Sequence, residues 1–533
     1  MGDYVNPANE GFAKTLKGGN YVDKTGLITF LNSVLDTDSQ EIVFTRPRRF
    51  GKTTACRMLA AYYSEGCDSE KMFKGLEIER DPSFKEHLNK HPVISFDLIS
   101  FMLKRDEDRK VDITKTVYRI ENTLVNELMQ EYPDACLSEK MPLADALRTV
   151  CSKIKRRFII IIDEWDMVLR EAKDNQALIR DYIDFLRSLF RSSDADKYLA
   201  GAYMTGILPV IRYNTESALS NFREYTMLNP EPLGKYIGFT ADEVHAVCQK
   251  FNADERRMKE WYDGYLIPDV GDIYCPDSVM LAATRRKFTS YWTATSAMEA
   301  LKDYIYLNVD GLKDALNDLI DGKEVEINTG SFENRLDRVD TKDKVLTVMV
   351  HLGYLAYDYD KGTVRIPNFE VRLHMLNVFS ESTDASFFLR VKRCEKALAA
   401  TKSSDGETVA QVLEEIHNER PSRYYNDEQA LRYTVLMAYA NSPRGRYITF
   451  EELSSGKGFV DIMFLPQKGF ADPPILVELK SGVSADKAIT QIHEKDYVDF
   501  LKKMEHHGDV MLVGINYNPD TKKHTCRIEK ITL

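Results

Sequence analysis

Two groups of residues in this sequence have the types and spacing that phosphate chemistry requires. In the first group, Gly51, Lys52 and Thr53 stand between a short apolar stretch, Glu41–Thr45, and an Ala-rich stretch, residues 53–63. The first stretch favours a strand and the second a helix. A helix N-terminus offers free N–H groups and partial positive charge to a phosphate. In this layout Lys52 would reach the β- and γ-phosphates of a nucleotide, and the Thr53 hydroxyl would bind Mg²⁺.

The loop departs from the usual G-x-x-x-x-G-K-[ST] pattern, because Arg46 replaces its first glycine. A basic turn ahead of an ordinary helix is the alternative interpretation of this stretch. For a nucleotide site, the predicted contacts are Arg48, Arg49, Gly51, Lys52, Thr53 and Thr54.

Residues 157–170 supply acids to the same predicted site. An apolar run, residues 158–162, is typical of a strand buried on both faces of a parallel sheet, and Asp163 and Glu164 follow it directly. Asp163 would hold Mg²⁺ through water, and Glu164 would orient or deprotonate the attacking water. Acids at the end of a buried strand are costly unless a cation or solvent meets them, so a strand that leaves the core into solvent is the alternative.

A further strand is predicted at residues 198–207, with Thr205 near its end. Ligands of parallel α/β sheets bind at the carboxyl ends of the strands. Thr205 is therefore a candidate sensor of the γ-phosphate, and a plain threonine at the end of a strand fits equally well.

The second group comprises Asp461, Glu478 and Lys480. Asp461 lies early in one predicted strand, and Glu478 and Lys480 are two residues apart in the next, so they share one face of it. Two acids on adjacent strands can hold Mg²⁺, which activates a bound water, and Lys480 can position that water or neutralise developing charge. This set is the minimal apparatus for phosphodiester hydrolysis. The alternative is an edge strand that simply presents Glu and Lys to solvent.

The elements that would position these residues indicate an α/β architecture. Short apolar strands alternate with helical stretches in the first part of the chain, which predicts a parallel sheet. Residues 341–379 predict a helix, a break at Gly353 and two short strands around Gly362. This pattern is winged-helix-like, and we favour a packing role for it over DNA binding. The last helix is predicted at residues 485–504.

Composition restricts the class of protein. The chain has 533 residues, of which 43% are hydrophobic and 29% charged, and its net charge of −11 means that nucleic acid could bind only through a local basic groove. Eight cysteines without a C-x-x-C pair speak against a zinc ribbon or a disulfide framework and favour a reducing cytosol. The first residues lack a signal-peptide core, and no apolar run is long enough for a membrane span, so we expect a cytoplasmic protein without membrane attachment.

Several motifs occur in order along the first 300 residues: RPRRFGKTT, IIIIDEWD, MTGI, GFTADEV, WYDGY, IYCPDSV and YWTATS. Together they resemble the AAA-ATPase-like family that bacteria carry fused to a nuclease-like tail. In that family an arginine is usual where Arg46 stands, and Trp165 replaces a residue that is more often tyrosine. The later GYL and IPN-x-E motifs also resemble the family. P-loop ATPases of this type often complete their site with an arginine from a neighbouring subunit, for which Arg212 and Arg223 are candidates in a homo-oligomer.

The second group resembles the signature of the PD-(D/E)XK nuclease superfamily, in which an acid precedes a Glu-x-Lys element. The QIHEKDY segment places Gln491 and Tyr497 in a pattern similar to the nuclease-like tail of the same family. The resemblance also implies a further acid on an upstream helix, for which Glu428 is the candidate, and Glu451 is a weaker one. Val460 stands where the family has a proline, a position that varies.

The resemblance implies three domains: an AAA-ATPase-like P-loop domain with a helical lid at residues 1–300, a winged-helix-like connector at 301–380, and a restriction-endonuclease-like α/β domain at 381–533. It implies ATP and Mg²⁺ as cofactors and nucleic acid, DNA in particular, as partner. The function expected is an ATPase coupled to a Mg²⁺-dependent nuclease. The alternatives are a nucleotide-gated switch whose tail binds nucleic acid without cutting it, and a pure ATPase with a structural tail.

Overall fold

A computed structural model describes residues 2–104, 111–172, 175–210, 212–213, 216–217, 219–292, 309–320, 322–332, 339–380, 386–418, 428–439, 447–455, 458–466, 472–504 and 506–533. The chain divides into two compact units. Unit 1 comprises Met1–Lys313 and Val325–His374, and unit 2 comprises Asp314–Glu324 and Met375–Leu533. The division into three domains at residues 300 and 380 stays a prediction.

The α-helices are α1 (Glu10–Lys17), α2 (Gly26–Val34), α3 (Lys52–Tyr63), α4 (Glu70–Phe73), α5 (Phe84–His87), α6 (Leu98–Met102), α7 (Thr116–Glu131), α8 (Leu143–Ile154), α9 (Met167–Glu171), α10 (Gln176–Phe190), α11 (Ala241–Phe251), α12 (Glu255–Tyr262), α13 (Pro276–Arg285), α14 (Leu312–Ile320), α15 (Lys342–Leu352), α16 (Phe369–Ser380), α17 (Ser386–Lys402), α18 (Gly406–Asn418), α19 (Glu428–Tyr439), α20 (Ala485–Glu494) and α21 (Asp499–Lys503). Short 3₁₀ helices lie at Glu77–Arg80, Ile113–Lys115, Pro133–Ala135, Ala195–Lys197, Val309–Gly311 and Thr329–Ser331.

The strands are β1 (Glu41–Thr45), β2 (Val93–Asp97), β3 (Phe158–Asp163), β4 (Leu199–Gly206), β5 (Arg212–Tyr213), β6 (Glu216–Ser217), β7 (Arg223–Tyr225), β8 (Phe239–Thr240), β9 (Tyr265–Ile267), β10 (Gly271–Tyr274), β11 (Val325–Glu326), β12 (Ala356–Asp358), β13 (Thr363–Arg365), β14 (Tyr447–Ser455), β15 (Gly458–Pro466), β16 (Ile475–Ser481), β17 (Asp509–Asn518) and β18 (Lys523–Thr532).

Unit 1 is organised around a five-stranded sheet with the order β2-β3-β4-β1-β7, in which every pairing is parallel. All residues of β1, β3 and β4 are buried, as the continuous apolar runs of the sequence predict. Parallel strands need crossover connections, and helices between them supply these. The predicted α/β fold with a parallel P-loop sheet is therefore confirmed, and the carboxyl ends of β1, β3 and β4 meet at one edge.

Two smaller sheets of unit 1 lie beyond the parallel sheet in sequence. β8, β10 and β9 pair antiparallel next to the helices α11, α12 and α13, which form the helical lid. β11, β13 and β12 form the other sheet, and its β12–β13 hairpin follows α15 as the predicted helix-then-hairpin pattern requires. α15 is buried from Val345 to Leu352, which fits packing within the unit.

Gly353 ends α15 in the left-handed region at φ 84°, where a side chain would be strained. A Cβ at this position would also approach Pro47 Cβ to 2.7 Å, so the winged-helix-like element packs directly against the loop before α3. The connector expected from the sequence thus shares the core of unit 1.

Unit 2 contains a mixed five-stranded sheet with the order β14-β15-β16-β17-β18. The β16–β17 pairing is parallel and the others are antiparallel. One face of the sheet packs against α17, α18 and α19, and the other packs against α20 and the segment that follows it. A mixed sheet between two helical layers agrees with the restriction-endonuclease-like α/β domain predicted.

The predicted continuous helix at residues 485–504 is wrong. α20 ends at Glu494 and α21 begins at Asp499, because Asp496 adopts a left-handed conformation at φ 52°. The amide of Tyr497 instead donates to the carbonyl of Ile492, which turns the chain and buries the Tyr497 ring. Within the described residues, every helix is too short or too polar to cross a bilayer.

Candidate functional sites

The loop between β1 and α3 forms the floor of a cavity of about 670 Å³ in unit 1. Gly51 precedes α3 with φ 98°, a conformation that only glycine adopts without strain, and it turns the chain so that the helix begins at Lys52. The six nucleotide contacts predicted from the sequence all line this cavity. Its lining also includes one acid from the end of β3 and residues of the lid: Arg48, Arg49, Gly51, Lys52, Thr53, Thr54, Ile99, Glu164, Met167, Pro276, Asp277 and Met280.

Lys52 is 4% exposed, and its Nζ donates to the Pro47 carbonyl at 3.0 Å. Burial lowers the pKa of Lys52, and the neighbouring Glu164 and Asp163 oppose that shift. The loop therefore holds its ammonium group close to the two acids at the end of β3. An anion bound in the cavity would contact this ammonium group directly.

Asp163 lies at the same edge of the sheet, in register with Asp97 on β2 and Thr205 on β4. Its Oδ1 accepts from the Glu164 amide at 3.0 Å, and its carboxyl group is hydrogen-bonded to Thr53. Burial raises the pKa of Asp163 to about 6, with the Thr53 bond acting against the shift.

The Thr205 hydroxyl is buried at this edge and has no hydrogen-bond partner among the described residues. The Thr53 hydroxyl and the Asp163 carboxylate, which are hydrogen-bonded to each other, are both hard oxygen donors. Such donors suit a hydrated Mg²⁺ ion, so the residues present fit the metal that the sequence predicts.

Glu164 is held by Arg170, a residue that the sequence analysis did not single out. The guanidinium of Arg170 is 1% exposed, contacts Glu164, and donates from Nε to Asp166 Oδ2 at 3.0 Å. Asp166 in turn accepts from the amides of Ile207 and Leu208 after β4. The only local signal was the i, i+4 spacing of Asp166 and Arg170 on a helical turn.

Arg46, which replaces the first glycine of the loop pattern, does not line the cavity. It is completely buried, its guanidinium lies 4.5 Å from the centre of the Phe44 ring, and Nη1 donates to the Thr45 and Thr226 carbonyls at 3.0 and 2.9 Å. Burial lowers the pKa of Arg46 to about 10. The residue therefore braces the start of the loop from inside the protein.

Arg49 connects the loop to the lid. Its Nη1 donates to Asp277 Oδ2 at 2.8 Å and to the Tyr291 carbonyl at 2.9 Å. The segment that contains Tyr291 is also bound by Glu370 of α16, which accepts from the Tyr291 and Trp292 amides at 2.6 and 3.0 Å.

Glu370 also accepts from the Ser278 hydroxyl on α13 at 2.8 Å. It is 1% exposed, and burial raises its pKa to about 7. Glu370 belongs to the IPN-x-E motif, and Ser278 to the IYCPDSV motif. The structure thus explains why these distant motifs occur together: they join the lid, the winged-helix-like element and the P-loop.

A second cavity of about 200 Å³ adjoins the loop on the side of the segment before α2. Its wall is largely apolar or aromatic, with contributions from the N-terminal segment, α3 and the stretch before α11. These residues include Tyr21, Val22, Met58, Tyr236 and Phe239. The size and apolar lining suit a planar base.

Of the two arginines suggested for a neighbouring site, Arg223 is exposed on β7 in register with Ile42. The side chain of Arg212 lies outside the described part of the structure, as do residues 293–296 of the YWTATS motif. Both arginine assignments stay predictions.

In unit 2 the structure brings Asp461, Glu478 and Lys480 together. Asp461 Oδ2 accepts from the Leu479 amide at 2.7 Å, and Lys480 Nζ donates to Glu478 Oε1 at 2.8 Å. Glu478 and Lys480 share one face of β16, as their spacing predicts. Val460 and Ile462 pack in opposite cores, so β15 twists at Asp461 and brings its carboxyl group towards Glu478.

Glu478 is 2% exposed, and burial raises its pKa to about 7, with Lys480 opposing the shift and Asp461 adding to it. Its Oε2 is buried and has no hydrogen-bond partner in the part of the chain that the structure describes. A buried carboxylate oxygen without a donor, beside a second carboxylate, is what a divalent cation satisfies. The residues present therefore fit a metal here as well, although no group of three acidic, histidine or cysteine ligands occurs among the described residues.

Gln491 and Tyr497 complete this site. Gln491 Nε2 contacts Glu478 Oε1 and lies 3.1 Å from the Tyr497 hydroxyl, which the break between α20 and α21 places there. The other suggested acids are less informative. Glu451 is exposed on β14, opposite Ile462, and the side chain of Glu428 lies outside the described part of the structure.

Comparisons with known proteins identify two domains in the chain. A family model described as "Predicted AAA-ATPase" matches residues 11–215, and one described as "PD-(D/E)XK nuclease superfamily" matches residues 426–526. A comparison with curated proteins found no match. Among solved structures, the chain is similar to the ORC2 protein of Aeropyrum pernix in its ADPNP–ADP complexes, with 13% identity and a TM-score of 0.26 over 67% of this chain and 91% of that chain. This protein thus contains a domain of the predicted AAA-ATPase family and, at its C-terminal end, a domain of the PD-(D/E)XK nuclease superfamily.

Proposed function

We propose that unit 1 binds and hydrolyses ATP. The observation that carries the proposal is the cavity above α3, in which all six predicted loop residues and Glu164 surround one space. The loop amides, the N-terminus of α3 and Lys52 would bind the phosphates. The smaller apolar cavity beside the loop would take the base.

Mg²⁺ would be held by Thr53 and Asp163, and when bound it would neutralise charge on the phosphates. Glu164 would orient the attacking water, because its carboxylate stands at the rim of the cavity and Arg170 holds it in one orientation. Thr205 would sense the γ-phosphate through its buried hydroxyl. An arginine from a second copy of the chain would complete the site in a homo-oligomer.

The test for this half is a calorimetric titration of the Lys52→Ala protein with ATP and Mg²⁺. We expect binding to be lost, because the phosphates lose their buried cation, while the protein remains folded by circular dichroism. Lys71→Ala, an exposed lysine on α4 outside both cavities, is the matched control and should bind as wild type. Unchanged ATP affinity in Lys52→Ala would refute the nucleotide site.

We propose that unit 2 cleaves phosphodiester bonds of nucleic acid, DNA in particular, with Mg²⁺. The observation that carries this proposal is the buried Glu478 carboxylate, which lacks a partner for one oxygen and stands beside Asp461 and Lys480. Asp461 and Glu478 would hold the metal, which when bound supplies an activated water and stabilises charge on the phosphate. Lys480 would position that water, and Gln491 would keep Glu478 in place.

A nuclease assay tests this half. Purified full-length protein is incubated with Mg²⁺ or Mn²⁺ and labelled single- and double-stranded DNA and RNA, with and without ATP. We expect metal-dependent cutting that disappears in Glu478→Ala and in Asp461→Ala, while both variants hydrolyse ATP at the wild-type rate. A wild-type protein that hydrolyses ATP but cuts no substrate would favour the switch that binds nucleic acid without cleavage.

An ATPase coupled to a nuclease would act in the cytoplasm. The eight cysteines support this location, because none of them forms a disulfide bond among the described residues, as in a reducing compartment.

A further inference from the structure

Arg432 is a cation at the candidate nuclease site to which the sequence analysis gave no role. It lies on α19, and its Nη1 donates to Glu452 Oε1 at 2.6 Å. Its Nη2 lies 3.5 Å from Asp461 Oδ1. The side chain is 19% exposed, and its Nε is buried with no hydrogen-bond partner from the described residues. The guanidinium therefore stands between solvent and the carboxylate that we assign to the metal.

The strands beneath Arg432 are irregular where its two acidic partners stand. The β14–β15 pairing runs to Glu451 opposite Ile462, and it resumes at Leu453 opposite Val460, so Glu452 and Asp461 are left out of the ladder. Glu452 also adopts φ 51°, a conformation that is strained for a side chain larger than glycine. The irregular backbone at this point places the carboxylates of Glu452 and Asp461 beside the Arg432 guanidinium.

The two contacts of Arg432 differ in strength. The partner at hydrogen-bond distance, Glu452, is 66% exposed, and an ion pair that solvent screens in this way is weak. The contact with Asp461 is longer than a hydrogen bond. Arg432 can therefore exchange Glu452 for another anion at low cost.

A phosphodiester that approaches Asp461 and Glu478 needs cations, because both acids repel it. Lys480 is already occupied by Glu478. A guanidinium presents paired N–H donors that match two phosphate oxygens, which makes arginine better suited to this task than a point charge.

We propose that Arg432 binds a phosphate of the nucleic-acid backbone at this site and gives up Glu452 to do so. The proposal rests on the nuclease function proposed above and names the group that holds the substrate there. In the absence of nucleic acid, Glu452 then holds the Arg432 guanidinium at the rim of the site.

The experiment measures binding without cleavage. Full-length protein in EDTA is titrated into a fluorescein-labelled DNA oligonucleotide, single- or double-stranded, and anisotropy is followed over a series of salt concentrations. We expect Arg432→Gln to weaken binding about tenfold and to reduce the slope of log K against log salt by about 0.7–0.9, the value for one phosphate contact. Arg432→Lys should keep most of the slope, and Glu452→Gln should tighten binding severalfold.

Arg393→Gln is the matched control. Arg393 is 18% exposed and pairs with Glu415 on a neighbouring helix of the same unit, so it loses an equal charge and a similar ion pair. It should bind DNA with the wild-type slope. An equal loss in Arg393→Gln would show that net charge alone is responsible and would overturn the proposal.

Other outcomes separate this inference from the nuclease function. Wild-type affinity and slope in Arg432→Gln, together with cutting that Glu478→Ala abolishes, would overturn the role of Arg432 and leave the nuclease intact. If Arg432→Gln instead tightened Mn²⁺ binding in a metal titration without changing DNA binding, Arg432 would be only a counter-ion of Asp461. A wild-type protein that binds no nucleic acid would overturn both proposals. If Arg432→Gln fails to fold, Arg432→Lys and Glu452→Gln still decide the question.

Discussion

Replacing Glu370 by glutamine should change how the stability of unit 1 depends on pH. Glu370 is buried among Ser278 and the backbone amides of Tyr291 and Trp292. Its pKa is raised from 4.5 to about 7 by burial. The native state therefore keeps a proton between these values that the unfolded state releases, so stability falls as pH rises through this window.

The magnitude follows from the size of the shift. The buried carboxylate costs about 3 kcal/mol at pH 8, where it is ionised in both states, and about 1 kcal/mol or less at pH 5. Glutamine keeps the acceptor for Tyr291 and Trp292 and can donate to the Ser278 hydroxyl. The difference in the free energy of unfolding between Glu370→Gln and wild type should therefore shift in favour of the variant by about 2–3 kcal/mol from pH 5 to pH 8.

Tryptophan fluorescence during urea unfolding measures this effect. All three tryptophans, Trp165, Trp261 and Trp292, belong to unit 1, so the signal reports that unit within the full chain. Glu260→Gln, an exposed glutamate on α12, is the control and should keep the wild-type pH dependence. A stability difference between Glu370→Gln and wild type that is equal at both pH values would show that Glu370 is ionised at pH 5 in the folded protein, and the reasoning from burial would be refuted.

Two further predictions concern the nucleotide site. Glu164→Gln should bind ATP with wild-type affinity and hydrolyse it at least about a hundredfold more slowly, because only the orientation of water is lost; equal loss of binding and hydrolysis in titration and phosphate-release assays would contradict this role. Arg46→Gly, which restores the usual loop pattern, should destabilise the protein by roughly 2–4 kcal/mol, because it leaves a cavity beside Phe44 and removes donors from the Thr45 and Thr226 carbonyls. Urea unfolding measures the loss, and a stability equal to wild type would show that Arg46 does not brace the loop.

Local order along the chain was enough to predict the elements that carry both sites. The apolar runs before Arg46 and Asp163 became strands buried on both faces, because a strand in the middle of a parallel sheet has no polar side. Gly51, Lys52 and Thr53 are neighbours in sequence, so any helix that starts there presents them together. Helix ends were less certain, since the break at Asp496 depends on burial of the Tyr497 ring.

The partners of the site residues were beyond prediction, because they lie on other elements, and some of those elements are distant in the chain. Arg170 reaches Glu164 only after a turn of helix, and Arg432 reaches Asp461 from another layer of the domain. Glu370 holds residues almost 80 positions earlier. The charges and their spacing in the sequence do not determine which of these residues form pairs, because the pairing depends on how the helices and sheets pack.

By itself the sequence determined the order of strands and helices, the loop between β1 and α3, and the face of β16 that carries Glu478 and Lys480, because each of these depends on residues only a few positions apart. The tertiary structure alone decided the burial of Glu478, the orientation of Glu164, the placement of Arg46 inside the protein and the position of Arg432 at the rim. Those properties arise when separate elements pack together and exclude water. The exclusion of water raises the free energy of a buried charge, so that charge has to be paired with a hydrogen-bonding or oppositely charged group.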